Sequence, residues 1–144
     1  MRARGFTLIE LLVVVAIIGM LSSILLASMA SARNKASDAA IKSNLRNLVV
    51  QAAFYQSNEG DYGSTFSAAT CPTSGSTMFY ADSNIRALIT AAKNAGGGGS
   101  RCASNGTNFA VSVELRSSTN HWCVDSSSNV GEISNTSWSG VTCP

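Results

Sequence analysis

The stretch "GFTLIELLVVVAIIG", residues 5–19, decides the fold because it is an almost uninterrupted apolar segment close to the N-terminus. The apolar character continues to Ala32, and Glu10 is the one charged residue between residues 6 and 32. As a helix, Leu8–Ala32 would extend about 37 Å, enough to cross a hydrocarbon layer of about 30 Å. The segment is therefore predicted to span a membrane, where a carboxylate such as Glu10 is costly and indicates a function.

Basic residues set the orientation of this segment. Arg2 and Arg4 precede it, and the preference of Lys and Arg for the cytoplasmic side places the N-terminus inside and the rest of the chain outside. A cleaved signal peptide would fit the small residues "ASA" at 30–32, but the apolar core Leu8–Leu26 exceeds the usual length of about 7–15 residues and contains Glu10. A plain membrane anchor explains the length and leaves Glu10 unexplained.

The helix is predicted to continue beyond the membrane. Residues 33–57 contain no Pro or Gly, and one face repeats apolar residues at spacings of three and four: Ile41, Leu45, Leu48, Ala52 and Tyr55. The glycines of "EGDYG", residues 59–63, are predicted to end it. The apolar stripe on this half of the helix is expected to be buried against another part of the chain.

The remaining residues, rich in Ser, Thr, Asn and Gly, are predicted to supply that cover. Residues 82–95 have the pattern of a short helix, capped by Asp82 or Ser83 and ended by Gly96–Gly99. Residues 109–115 alternate as a half-buried strand, 121–125 form a second strand after the polar connection 116–120, and 130–133 supply a third. The predicted fold class is α+β, with a small antiparallel sheet packed on the second half of a long N-terminal helix.

The segment "RGFTLIELLVVVAIIGML", Arg4–Leu21, resembles the N-terminal signature of type IV pilins and of the pseudopilins of type II secretion. The resemblance implies the pilin fold, which agrees with the α+β prediction. It also implies that a prepilin peptidase cuts after Gly5 and methylates the new terminal amine of Phe6. Glu10 matches the acidic residue that, in this family, meets the N-terminal amine of a neighbouring subunit during assembly.

Electrostatics independently favours that function for Glu10. After cleavage, the amine of Phe6 is a positive group within or near the apolar layer, and two opposite charges that are each costly alone offset one another when they meet. A subunit inserted at the wrong height would leave both charges unpaired. The pairing would therefore also set the register of a filament.

The resemblance also implies how the chain is divided into parts and which partners it has. The predicted parts are a leader (1–5), a transmembrane and assembly helix (6–32), its amphipathic continuation (33–59) and an exported head (60–144). The implied partners are further copies of the chain in a helical filament, the prepilin peptidase, the pilus assembly machinery of the inner membrane, and the membrane itself before assembly. The expected location is therefore the inner membrane first and a cell-surface filament afterwards.

Four cysteines, Cys71, Cys102, Cys123 and Cys143, all lie in the exported part. In an oxidising compartment an even count indicates two disulfides. A zinc site is the rival interpretation, but there is no CxxC pair and His121 is the only histidine. Spacing does not separate the possible pairings. We favour Cys102–Cys123, which would tie two strands, with Cys71–Cys143, which would fasten the tail; the sequential pairing Cys71–Cys102 and Cys123–Cys143 remains open.

No pattern of catalytic or cofactor-binding residues emerges from the sequence. Gly96–Gly99 lacks the Lys-Ser/Thr of a phosphate-binding loop and is interpreted as a turn, and His121 has no convincing Ser or Cys partner. Asp125 beside a Ser- and Asn-rich loop could bind calcium, although the spacing is no known calcium pattern. Without Arg2 and Arg4, eight basic residues face eight acidic ones, so nucleic-acid binding is not implied.

Two functions remain. The first is a pilin that polymerises through its apolar helix into a type IV pilus, used in adhesion, motility or DNA uptake. The alternative is a pseudopilin of a type II secretion system. Major pseudopilins tend to carry a "DPWG"-like stretch near the end of the domain, and the corresponding "CVDSSSNVGEI", residues 123–133, has neither the proline nor the tryptophan. The sequence therefore favours a pilin.

Overall fold

A computed structural model describes residues 5–134 and 140–143, apart from the side chains of residues 25–27. The longest element is the helix α1, Leu8–Glu59. Contacts divide the chain into two units, Met1–Asn34 and Lys35–Pro144. The first unit is helical from Leu8 onward, and the helix continues through Gly19, Ser22 and Ser23 without a break.

In the second unit, α1 carries the apolar stripe that its sequence predicts. Ile41, Leu45, Leu48 and Ala52 are completely buried, and Tyr55 packs against the same core at its edge. Spacings of three and four place these side chains on one face of a helix. The helix ends where the sequence predicts, since Gly60 follows it with a φ of 90°, which favours glycine.

The stripe is covered by one five-stranded antiparallel sheet with strands in the order β1-β2-β3-β4-β5. Its strands are β1 (Phe66–Thr70), β2 (Ser100–Ser104), β3 (Phe109–Glu114), β4 (His121–Asp125) and β5 (Val130–Ile133). The three predicted strands correspond to β3, β4 and β5. The predicted connection 116–120 joins β3 to β4 as antiparallel neighbours, and Leu115 donates its N–H to the Asn120 carbonyl at 2.9 Å.

The inner face of the sheet and the helix stripe share one apolar core. Phe109, Val111 and Val113 of β3 are at most 1% exposed and cluster with the buried helix residues. Tyr62 and Phe79 meet the Phe109 ring edge-on, with centroids 4.8 and 6.4 Å away. Edge-to-face packing of this kind adds to the stabilisation from burial alone.

Two helices connect β1 to β2. They are α2 (Met78–Ala81) and α3 (Ser83–Ala95). Asp82 caps α3 as predicted, because its Oδ1 accepts hydrogen bonds from the N–H groups of Asn84 and Ile85, both at 2.8 Å. The buried face of α3 consists of Ile85, Ile89 and Ala92.

The first cysteine of the chain is bonded to the second, Cys71–Cys102, and the third is bonded to the fourth, Cys123–Cys143. The favoured pairing of Cys102 with Cys123 and Cys71 with Cys143 is therefore wrong. Cys102 in β2 and Cys123 in β4 are separated by β3, which places them about 10 Å apart, beyond the reach of a disulfide.

Sheet register excludes that pairing a second time. Cys102 lies opposite Val111, whereas Cys123 lies opposite Ser112. Because Val111 and Ser112 are consecutive in β3, the two cysteines point to opposite faces of the sheet. Cys102 belongs to the inner core, and Cys123 belongs with Cys143 to a small outer cluster that also contains Ala103, Ala110 and Ile133.

Two buried carboxylates fix the loops of the head. Asp38 of α1 is 8% exposed, and it accepts hydrogen bonds from the N–H groups of Arg116 and Ser117, at 2.7 and 3.3 Å, and from the Ser117 hydroxyl. Asp125 is fully buried. Because buried charge is costly without such partners, both carboxylates are structural.

Both oxygens of the Asp125 carboxylate accept hydrogen bonds from the residues around it. Its Oδ1 accepts from the N–H groups of Ser127 and Asn129, both at 2.9 Å, and its Oδ2 accepts from the Asn129 side chain at 3.0 Å and from the Cys143 N–H at 2.9 Å. A carboxylate surrounded by N–H donors does not present its oxygens to a cation. The structure therefore gives Asp125 a loop-fixing role in place of a calcium-binding one.

Gly96→Ala should destabilise the head strongly. A Cβ at residue 96 would lie 2.3 Å from the carbonyl oxygen of Glu114 and 3.1 Å from Cδ1 of Ile41, and the backbone of β3 cannot move away cheaply. We expect a loss of about 2–3 kcal/mol, typical of overpacking, measured by thermal unfolding of the full chain followed by near-UV circular dichroism. Gly19→Ala is the control, since nothing lies within 4 Å of its Cβ position; equal melting of the two variants would refute this interpretation.

Candidate functional site at the N-terminus of the first helix

Glu10 and Thr7 form a reciprocal pair at the start of α1. The Oε2 atom of Glu10 accepts hydrogen bonds from the Thr7 N–H at 2.9 Å and from the Thr7 hydroxyl at 2.6 Å. In return, the Thr7 hydroxyl accepts from the Glu10 N–H at 3.3 Å. This is a capping box, in which a Thr before the first turn and a Glu three residues later satisfy each other's free N–H groups.

The capping box gives Glu10 a second reason to be where it is. An acidic side chain in the first turn also interacts favourably with the positive end of the helix dipole. Both bonds from Thr7 end on the same oxygen of Glu10, and no hydrogen bond to Oε1 forms among the described residues. The carboxylate can therefore keep its local bonds and still accept one from an external donor.

The predicted cleavage site lies just ahead of this box. Gly5 and Phe6 are both exposed and precede α1, and the Phe6 side chain is 78% exposed. Cutting after Gly5 would leave the Thr7–Glu10 pair intact, because the N–H of Thr7 belongs to a peptide bond that remains. Residues 1–4 of the predicted leader lie outside the described residues.

The apolar side chains around Glu10 have no cover within the unit. Phe6, Ile9, Glu10, Val13 and Val14 line a shallow concave surface, and Leu8 and Ile9 are 87% and 71% exposed. Among the described residues, α1 is the one helix long and apolar enough to cross a membrane. Such a surface requires lipid or another apolar helix against it.

The geometry therefore brings the predicted processing residues and Glu10 together, and it adds Thr7. Thr7 was missed at the sequence level, although "TLIE", residues 7–10, has the T-x-x-E pattern of a capping box directly before an apolar run. No group of three or more His, Cys, Asp or Glu side chains that could hold a metal occurs in the described parts of the chain. The site is suited to one charge pairing and to apolar packing.

Comparison with known proteins finds similarity at the N-terminal end of this chain. The family model described as the prokaryotic N-terminal methylation motif matches residues 1–26. That range includes the predicted cleavage site, Thr7 and Glu10.

Similarity to a curated protein extends further. The type IV wide pilus major component PilA4 of Thermus thermophilus is 39% identical over 67 residues, which cover 46% of this chain and 51% of that protein. The chain thus matches about half the length of this relative. No solved structure matches the chain.

Proposed function

We propose that the chain is a pilin that polymerises through α1 into a type IV pilus on the cell surface; its similarity to the N-terminal methylation motif and to a type IV pilus component supports this. The observation that carries the proposal is the uncovered apolar surface of the first unit with a single carboxylate at its start. A filament packs such helices against one another and brings that carboxylate to a neighbour's amine. The similarity to a major pilus component supports a pilus over a secretion pseudopilus.

Processing would prepare both partners of this charge pair. A prepilin peptidase acting at the cytoplasmic side would cut after Gly5 and methylate the amine of Phe6, which keeps a positive charge. The helix would then hold the subunit in the inner membrane until the assembly machinery passes it to the growing filament. The head, with its disulfides, would lie in the oxidising compartment throughout.

The amine of one subunit would bind the Glu10 carboxylate of the next. Each charge alone is poorly solvated in the apolar layer, and their pairing offsets part of that cost. The Oε1 atom of Glu10 is the acceptor, since Oε2 holds Thr7. Adhesion, motility and DNA uptake are downstream uses of such a filament.

The test is the composition of filaments sheared from cells that express this chain as their one pilin. Electron microscopy should show long surface filaments, and mass spectrometry should find subunits that begin with N-methylated Phe6. Gly5→Leu is the processing control, because it blocks the cut and should leave full-length protein in the membrane.

Two outcomes would contradict the proposal. A mature terminus at Arg33 would establish an ordinary signal peptide and remove the helix that the filament needs. Correctly processed protein confined to a short periplasmic assembly, with no surface filaments, would identify a pseudopilin.

A further inference from the structure

The turn between β2 and β3 contains the one asparagine of the sequence that is followed by glycine, Asn105–Gly106. The turn consists of residues 105–108, because Ser104 and Phe109 form the last pair of the two strands. Asn105 is exposed, and its N–H donates to the Asn108 carbonyl at 3.0 Å. Exposed turns of this kind are open to water and to chemical change.

The side-chain carbonyl of Asn105 is surrounded by hydrogen-bond donors. Its Oδ1 accepts from the Asn108 N–H at 2.7 Å, from the Thr107 hydroxyl at 3.0 Å and from the Thr107 N–H at 3.1 Å. Donors at about 2.7–3.1 Å stabilise the negative charge that develops on a carbonyl oxygen when a nucleophile adds to its carbon. The turn therefore makes Cγ of Asn105 more electrophilic.

The backbone nitrogen of Gly106 is the nucleophile closest to that carbon along the chain. A bond from this nitrogen to Cγ of Asn105 closes a five-membered ring, and such an intramolecular attack needs no second molecule. Glycine has no Cβ that would shield its nitrogen. Within the described residues, neither the Gly106 N–H nor Nδ2 of Asn105 donates a hydrogen bond, so nucleophile and leaving group are both free to react.

We propose that Asn105 deamidates spontaneously in the folded head, and that the Thr107 hydroxyl accelerates the reaction by stabilising charge on Oδ1. Hydroxide removes the Gly106 amide proton, the nitrogen bonds to Cγ, and the carbonyl electron pair moves to Oδ1. The tetrahedral intermediate collapses, the bond between Cγ and Nδ2 breaks, and Nδ2 leaves as ammonia with a proton from water. Water then opens the succinimide at either carbonyl, which leaves aspartate or isoaspartate at residue 105.

Either product adds a negative charge to the β2–β3 turn. Isoaspartate also lengthens the backbone next to Gly106, whose carbonyl accepts the Tyr62 N–H at 2.8 Å. Tyr62 is 6% exposed and meets the Phe109 ring edge-on, so this product would loosen the segment after α1 from the sheet. The charge of the head would thus change with the age of the chain, without an enzyme and whether or not the chain assembles into filaments.

The test is incubation of the purified full chain in detergent, in buffer made with water enriched in heavy oxygen. Digestion in ordinary water then confines the label to deamidation of the folded chain, and tandem mass spectrometry locates the label. We expect labelled aspartate and isoaspartate at residue 105, formed faster as the pH rises because the nucleophile arises by loss of a proton. Asn108 is the internal control, since the N–H that follows it, of Phe109, donates to the Ser126 hydroxyl at 3.4 Å.

Variants of the turn separate the chemistry from the fold. Thr107→Val should slow labelling of Asn105 about threefold or more, as expected for losing one hydrogen bond to the developing charge. Thr107→Ser keeps the hydroxyl and should keep the rate. Near-UV circular dichroism checks that each variant is folded, and Thr107→Ala replaces the valine variant if that one is not.

Three results would overturn the proposal. The first is absence of label at residue 105 in the folded chain under conditions in which the denatured chain reacts. The second is equal labelling of Asn105 and Asn108. The third is an unchanged or faster reaction in folded Thr107→Val, which would show that the donors of the turn do not promote the attack.

Discussion

Glu10→Gln should nearly abolish surface filaments, whereas Thr7→Ala should reduce them only modestly. Glutamine at residue 10 can still complete the capping box with Thr7, but it carries no charge for the amine of the neighbouring subunit. An uncompensated charge in an apolar interface costs about 3 kcal/mol or more, which corresponds to a loss of at least about a hundredfold in assembly. The measurement is the mass of sheared filaments relative to the membrane pool of the same variant.

Thr7→Ala is the matched control because it acts on the cap and leaves the charge. It removes the hydrogen bond from the Thr7 hydroxyl to Oε2 and the bond that the hydroxyl accepts from the Glu10 N–H, at a cost of about 0.5–2 kcal/mol to the helix end. Glu10→Val removes both the cap and the charge, and it should leave membrane insertion intact or improve it. If Thr7→Ala lost filaments as completely as Glu10→Gln, capping and not charge pairing would be the function of Glu10.

Asp125→Ala should destabilise the head by about 3–5 kcal/mol. The variant leaves three backbone N–H groups without their acceptor, those of Ser127, Asn129 and Cys143. The Cys143 N–H is buried and costs about 1–3 kcal/mol unpaired, whereas the other two belong to exposed residues and lose about 1 kcal/mol each. The carboxylate also holds the tail beside β4, so the loss includes packing of the small outer cluster. Thermal unfolding of the full chain, with both disulfides intact, measures the effect.

Asp61→Ala is the control for that experiment. Asp61 also accepts a backbone hydrogen bond, from Gly63 N–H at 2.7 Å, but in an exposed turn where water replaces the lost acceptor. Its removal should cost about 1 kcal/mol or less. A comparable destabilisation in the two variants would show that burial of Asp125 does not determine its contribution.

The elements with strong periodicity could be predicted from the sequence. The apolar stripe from Ile41 to Ala52 indicated a helix face, and the alternation in "FAVSVEL", residues 109–115, indicated β3. The order of β3, β4 and β5 followed from short connections between consecutive strands. Glu10 was noticeable as a charge within an apolar run, whereas the processing role of Gly5 and Phe6 comes from the resemblance to the pilin signature and stays a prediction.

Strands β1 and β2 could not be predicted in the same way. "FSAAT" and "SRCAS" contain small and polar residues without clear alternation, and their extended form comes from pairing with β3, directly for β2 and through β2 for β1. The disulfide pairing depended on them, because only the position of β2 shows that Cys102 and Cys123 are too far apart. Because no strand before β3 was predicted, the pairing of Cys102 with Cys123 was favoured, and it was wrong.

The burial of a charged side chain is a second feature that the sequence pattern could not predict. Asp38 lies on α1 outside the apolar stripe, yet its partners are donors from residues 116 and 117, far away in the sequence. Periodicity treats a carboxylate as solvent-facing, and it contains no information on such distant donors. Only the tertiary structure identifies Asp38 as the residue that holds the β3–β4 connection to the helix.

The order of the disulfides along the chain has a consequence for oxidation during export. Cys71–Cys102 closes one loop before Cys123 emerges, and Cys123–Cys143 closes the next, so the loops neither overlap nor enclose each other. During the proposed export, each cysteine would meet its correct partner in the order of translocation. A thiol oxidant that acts on consecutive cysteines is sufficient to produce the native bonds, and maturation of the head should proceed normally in cells that lack a disulfide isomerase.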